Sequence, residues 1–221
     1  PVLIVADLRA NMHFATRGCY KSVNACRAAA LLSWAAHHRG DRLGGLIFGD
    51  TTHRELKPRL GRQAALRFVH ELVNHPDWEG HNDSGRGDGE APLTMAMSAL
   101  RRVVRPGSLV VVLSDFLGFT RAARSYLSSV ARHNEVLAVF LNDPLERKLP
   151  PPGRYRLVSN GEELAIDTAG RKARQDYESA FAQRSAELEA FCHRYGIHLM
   201  PLSTEDDPVA ALQTALGRRT H

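Results

Sequence analysis

Where the first hydrophobic run stops, in "PVLIVADLRANMHFAT", three polar side chains follow at alternate positions: Asp7, Arg9 and Asn11. A carboxylate attracts cations and accepts hydrogen bonds, a guanidinium offers a rigid fork of donors with a fixed positive charge, and an amide can do either at short range. Together they are equipment for holding a charged group. Two later runs also end on acids, "SLVVVLSD" on Asp115 and "EVLAVFLND" on Asp143. Lys21, at the start of the first helical pattern, can face the same place, although a solvated lysine is the commoner case.

Such residues meet only if the runs that precede them are neighbouring strands. The runs are continuous and aliphatic, as expected of strands covered on both faces. Between them the period changes to that of a helix. Residues 21–38 carry Val23, Cys26, Ala30, Leu31 and Trp34 as an apolar stripe, and residues 63–74 carry Leu66, Val69, His70 and Val73. Residues 93–104 are a third helix; Thr120 is a natural N-cap for a fourth, and residues 173–195 form a long one with Tyr177, Phe181, Leu188 and Phe191 on one face. Residues 43–48 read as a strand, and "THRELKPRL" reads as an edge strand because Pro58 has no N–H to give to a ladder. "GRYRLVSNGEELAIDT" is two alternating runs around Asn160-Gly161, a hairpin signal. A last strand at 197–202 precedes a closing helix begun by Asp207 and Pro208.

Strand and helix therefore alternate, which predicts an α/β fold: a doubly wound, mostly parallel, Rossmann-like sheet with helices on both faces, one antiparallel edge strand and an inserted β-hairpin at about 154–168. Residues 1–221 are expected to form one domain. In such sheets ligands sit outside the carboxyl ends of the strands, where the strand order reverses. Asp7, Asp115 and Asp143 are placed there.

Composition narrows the function classes. The formal charge is +5, but 29 Lys and Arg stand against 24 Asp and Glu spread through the chain. A mixed solvated surface is expected, with no basic stripe for nucleic acid. Cys19, Cys26 and Cys192 are odd in number and lack paired spacing, so neither a disulfide framework nor a zinc ribbon is indicated and a reducing, cytoplasmic setting is expected. No apolar run reaches the length of a bilayer span, so no membrane contact is expected from this segment. The start on a strand without Met suggests a segment of a longer protein.

Asp7-x-Arg9-x-Asn11 after the first strand, "VVVLSDFLG" later and the helices between them resemble the von Willebrand factor A fold. "DLRANMHFAT", "GDRLGGLIFGD", "LSDFL" and "NDPLERKLPPPG" are similar, more narrowly, to the von Willebrand A-like proteins of the bacterial domain-of-unknown-function family 58, commonly encoded beside MoxR-type AAA+ ATPases. In that fold an Asp-x-Ser-x-Ser loop, a Thr and a further Asp hold one divalent cation, whose open position takes a partner's carboxylate. The resemblance carries the first acid onto Asp7, the last onto Asp115 and the second Ser onto Asn11, which can offer an amide oxygen to Mg²⁺ or Mn²⁺. Arg9 replaces the first Ser, Ala91 falls at the metal-site Thr, and Thr94 is near it on the helix side. His13 would add a nitrogen ligand for a softer metal.

Two sites stay open on this reading. In one, Arg9 neutralises Asp7 or Asp115 and no metal is needed; in the other, Arg9 swings outward and a weakened metal site survives. What the resemblance implies is a non-enzymatic protein-interaction module with a degenerate metal-ion-dependent adhesion site, partnered by a MoxR-type AAA+ ATPase or its client. The competing class is a metal-assisted phosphoryl hydrolase using Asp7 and Asp115. "EGHNDSGRGDG", with His81, Asp83 and Asp88, lacks the spacing of an EF-hand and reads as a surface loop. No nucleophile elbow, P-loop or dinucleotide turn is present.

Overall fold

The computed structural model describes residues 1–78, 90–159, 162–168 and 170–217. Along the chain come β1 (Val2–Asp7), α1 (Lys21–His38), β2 (Leu43–Phe48), β3 (His53–Arg59), α2 (Arg62–Val73), α3 (Glu90–Val103), β4 (Leu109–Ser114), α4 (Arg121–Ala131) and β5 (Glu135–Asn142). There follow α5 (Pro144–Arg147), β6 (Arg154–Ser159), β7 (Glu162–Asp167), α6 (Arg171–Tyr195), β8 (His198–Ser203) and α7 (Pro208–Gly217).

Six strands form one sheet in the order β3-β2-β1-β4-β5-β8, and β6 pairs with β7 as a separate antiparallel hairpin. All neighbours in the large sheet are parallel except β2 and β3, so the strand carrying Pro58 is the antiparallel edge. The chain moves outward from β1 to β2 on one side and restarts at β4 on the other, so the strand order reverses between β1 and β4. Asp7 pairs in register with Phe48, and Ala6 with Leu113, so Asp7 and Asp115 emerge at the same end of adjacent strands.

Each face of the sheet buries its own apolar layer. Ile4, Ile47, Val111 and Val139 look toward α1, α2 and α7; Leu3, Leu46, Val112 and Ala138 look toward α3, α4 and α6. The period-two alternation within each buried strand produces this division.

The inward faces of two helices differ from the sequence expectation. On α2 the buried residues are Ala64, Ala65, Phe68 and Leu72, while Leu66 and Val73 are 38% and 66% exposed. The cause lies in β2. A Cβ on Gly45 would stand 2.6 Å from Phe68 Cε2 and 2.2 Å from Ile4 O, so the Phe68 ring sits where the strand has no side chain. That fit sets the rotation of the helix. On α1 the buried face is Ala25, Ala28, Ala29, Leu32 and Ala36 with Ser22, Asn24 and Ser33, and Leu31 is at the exposed edge. Small residues let α1 lie close to the sheet between α2 and α7, and Cys26 and Trp34 pack at its margin. The loop carrying His81, Asp83 and Asp88 and the hairpin turn at Asn160-Gly161 fall outside the described residues.

Candidate functional site

At the end of β1, Leu8 stays in the core and its N–H donates to Phe48 O (2.7 Å), which extends the strand by one bond. The chain then turns back. Arg9 N donates to Asp7 Oδ1 (3.1 Å), and a single 3₁₀ turn over Ala10–Met12 follows. This folds the Arg9 side chain onto the acid two residues before it. Its Nε donates to Asp7 Oδ1 (3.0 Å) and Oδ2 (3.2 Å), and Nη2 donates to Oδ2 (2.7 Å). Nη1 reaches across the crevice to Leu117 O (3.0 Å), and Nη2 lies 3.6 Å from Asp115 Oδ1. The guanidinium rests 5.7 Å from the centre of the Phe48 ring. Both Asp7 and Arg9 are fully buried.

Asp115 is held as closely. Asn11 Nδ2 lies 2.7 Å from each of its oxygens, Lys21 Nζ donates to Oδ2 (2.8 Å), and Leu117 N donates to Oδ1 (3.0 Å). Lys21 is 1% exposed and also donates to Glu146 Oε1 (2.7 Å). It is the first residue of α1, the end of a helix where a positive charge is disfavoured by the helix dipole. Two carboxylates at hydrogen-bond distance outweigh that effect, which is typically below about 1 kcal/mol.

The turn after β4 completes the arrangement. Ser114 Oγ donates to Asp7 Oδ2 (2.6 Å) and accepts from Phe116 N (2.9 Å). Phe116 has φ of 53°, in the left-handed region that a bulky residue adopts at a cost of about 1–3 kcal/mol. With the backbone reversed there, the next residue turns its N–H to Asp115 and its C=O to Arg9.

Charge and burial act in opposite senses on these groups. Burial pushes the Asp115 carboxyl up, but the Lys21 ammonium and Arg9 guanidinium, with the hydrogen bonds of Lys21 and Leu117, bring it below its ordinary value. Burial likewise lowers Arg9 and Lys21, and the facing carboxylates more than reverse it, so both titrate above their ordinary values. All three are ionised near neutrality.

The sequence candidates divide accordingly. Asp7, Arg9, Asn11, Lys21 and Asp115 converge. His13 instead lies against Trp78 (ring centres 5.1 Å apart) and Tyr20 (6.3 Å). Thr94 Oγ1 pairs with Thr120 Oγ1 (2.9 Å), the cap of α4, and Ala91 lies in the first turn of α3. Asp143 joins a different network: its carboxylate accepts from Thr16 N (2.9 Å), Thr16 Oγ1, Thr204 Oγ1 (2.6 Å) and Leu145 N (2.9 Å), tying the first loop to the end of β8. The sequence reading missed Ser114 and Glu146. Glu146 closes a capping box with Asp143, and the Asp-Pro-x-Glu spacing at 143–146 is the signal that could have found it.

A divalent ion needs inward-facing oxygens. Here the groups turned to Asp7 and Asp115 are a guanidinium, an ammonium, a hydroxyl hydrogen and the nitrogen side of an amide. The residues present do not fit Mg²⁺ or Mn²⁺, and among the described residues no group of three or more His, Cys, Asp or Glu is arranged to hold a metal.

Fold and site define a doubly wound α/β protein whose switch-point crevice is floored by two buried acid–cation pairs. Residues 1–187 match the family described as "Protein of unknown function DUF58", and the chain belongs to that family. It is 32% identical over 220 residues to uncharacterized proteins of Mycobacterium bovis and Mycobacterium tuberculosis, covering 98% of this chain and 66% of theirs. The chain thus spans just under two thirds of the length of these relatives. Among solved structures, the conserved hypothetical protein BatB of Bacteroides thetaiotaomicron superposes with a TM-score of 0.57 at 13% identity, over 97% of this chain and 95% of that one. An aerotolerance-related membrane protein of Bacteroides fragilis gives 0.59 at 14% identity, over 98% and 96%. At such identities the likeness is one of fold. No helix among the described residues is long and apolar enough to cross a membrane.

Proposed function

We propose that this chain is a von Willebrand A-like protein-docking module without catalytic activity of its own, in which Arg9 and Lys21 stand where an adhesion site of that fold holds a divalent ion. The observation that carries the reading is the pair of buried cations on Asp7 and Asp115, with all four side chains at most 5% exposed. A crevice floored by its own charges keeps its shape without an exchangeable ion, and a partner then reads the rim: Tyr20 and Leu117, 50% and 40% exposed, and Asp50, which accepts from Ala10 N (2.7 Å). By the resemblance stated above, the partner is a MoxR-type AAA+ ATPase or a client that it remodels. The hydrolase alternative has less support, because the oxygens of Asp7 are taken up by Arg9 and Ser114 and none is open to a substrate.

The test is biolayer interferometry of this chain against a MoxR-type AAA+ ATPase, for the parent and Leu117→Asp. Binding weakened about tenfold or more by the rim substitution is the expected result, the size of a lost interface contact. Binding indifferent to Leu117→Asp would put the docking face elsewhere, and no binding would remove the partner. Thermal unfolding of the chain with millimolar Mn²⁺ separates the metal question. A rise in Tm that Asp115→Asn abolishes would overturn the built-in-cation reading.

A further inference from the structure

On its far side, the turn after β4 borders a cavity of about 190 Å³, bounded by α4, the end of β5 and α6. Its walls are Phe116, Phe119, Phe140 and Leu188. The rings are braced: Phe119 stands edge-on to Phe116 (5.4 Å) and to Phe191 (5.2 Å), and Phe140 stacks on Phe181 (6.1 Å). Two arginines complete the lining, and they differ. Arg124 is already paired with an acid, Nη2 donating to Glu187 Oε2 (3.0 Å), and its Nε donates to Phe119 O (3.1 Å). Arg184 has its guanidinium 5.4 Å from the centre of the Phe181 ring, and its Nε is buried with no hydrogen-bond partner among the described residues.

A buried donor without an acceptor is a costly feature that native structures rarely keep unless something is to meet it. The acid on the cavity wall is not that acceptor, because Asp115 is already committed to Lys21, Asn11 and Leu117 N. The geometry points to a binding site for a carboxylate carried a few bonds from an aromatic ring, the carboxylate on Arg184 and the ring among the phenylalanines. Guanidinium suits a planar carboxylate, and a single unpaired cation matches one negative charge better than the two of a phosphate monoester. The size agrees, since an apolar cavity of about 150 Å³ accepts benzene, which leaves room here for a short acid arm. The inference is independent of which partner, if any, docks at the crevice.

Either a free arylalkanoic acid or the C-terminal residue of a peptide carries this chemistry. The experiment titrates 3-phenylpropanoate, its amide 3-phenylpropanamide and N-acetylphenylalanine into the parent, Arg184→Gln and Arg184→Lys, by calorimetry. The acid should bind with a Kd below ~1 mM. The amide should bind about tenfold more weakly, and Arg184→Gln should bring the acid down to the level of the amide while leaving the amide unchanged; Arg184→Lys should fall between. Equal or tighter binding of N-acetylphenylalanine would assign the site to peptide C-termini, and its exclusion would assign it to free acids. Failure of both acids to bind at about 10 mM, or parent affinities that do not distinguish acid from amide, would overturn the proposal whatever the variants do.

Discussion

Replacing Lys21 by Met keeps an unbranched, flexible side chain one atom shorter and removes the ammonium, its charge and its two hydrogen bonds together, so it asks what that buried group contributes. Lys21 faces two acids of unequal burial: the side chain of Asp115 is 5% exposed and that of Glu146 is 19% exposed. Removing one partner of a buried pair costs about 3–5 kcal/mol, because the other charge is left uncompensated. Water can take over at Glu146, and Asn11 and Leu117 still serve Asp115, so the lower end applies, about 3 kcal/mol. For a chain of this size that corresponds to a Tm lower by about 6–12 °C. The assay is urea unfolding followed through Trp34 and Trp78, the two tryptophans of the chain, with the loss appearing in the midpoint at unchanged slope. The pH dependence adds a sign. Because the folded pKa of Asp115 is depressed, its contribution is present above the ordinary value of 3.8 and is lost as pH falls through the folded pKa. Without Lys21 that folded pKa rises, so acid unfolding of the variant should begin at higher pH than in the parent. Lys21→Met with Asp115→Asn should recover part of the loss, since no buried charge is then stranded. A Lys21→Met variant within about 0.5 kcal/mol of the parent would refute the reasoning, that being the effect of an ordinary surface substitution.

Two other substitutions test the packing that positions the crevice. Gly45→Ala should destabilise by at least about 1–3 kcal/mol, the range for overpacking, because both neighbours of the new methyl are fixed, one of them backbone; a neutral result in urea unfolding would mean that α2 rides more loosely on β2 than described. Thr120→Ala should cost about 1 kcal/mol by removing the acceptor for Ala123 N, and Thr120→Ser should restore it; equal stability of the three proteins by the same assay would show that the cap does not hold α4.

The strands were legible because unbroken aliphatic runs admit little else in a chain with so many turn signals, and Pro58 marked the edge. The crevice was half legible. Asp7, Arg9, Asn11 and Asp115 stand out as polar residues at the ends of buried runs, and Lys21 is placed as able to face them, but a solvated lysine is the commoner case and its burial follows from a contact with residues 115 and 146 that no local pattern encodes. Ser114 was hidden as one more small residue before an acid. The helix faces failed for a related reason. Ranking residues by hydrophobicity turned Leu31, Leu66 and Val73 inward, whereas close approach to the sheet selects by volume, which favoured the alanines of α1 and the seat that Gly45 leaves for Phe68.

The chain has four lysines, and Lys57, Lys148 and Lys172 are exposed. An amine is nucleophilic only as the free base, and only where a reagent can reach it. Lys21 fails both conditions in the folded protein, since it is buried and its proton is held more tightly than usual. Acylation at this one nitrogen therefore waits on the rare moments when the first turn of α1 lifts away from the crevice. Lys21 is in this sense a clock built into the molecule, and its three exposed counterparts supply the time base.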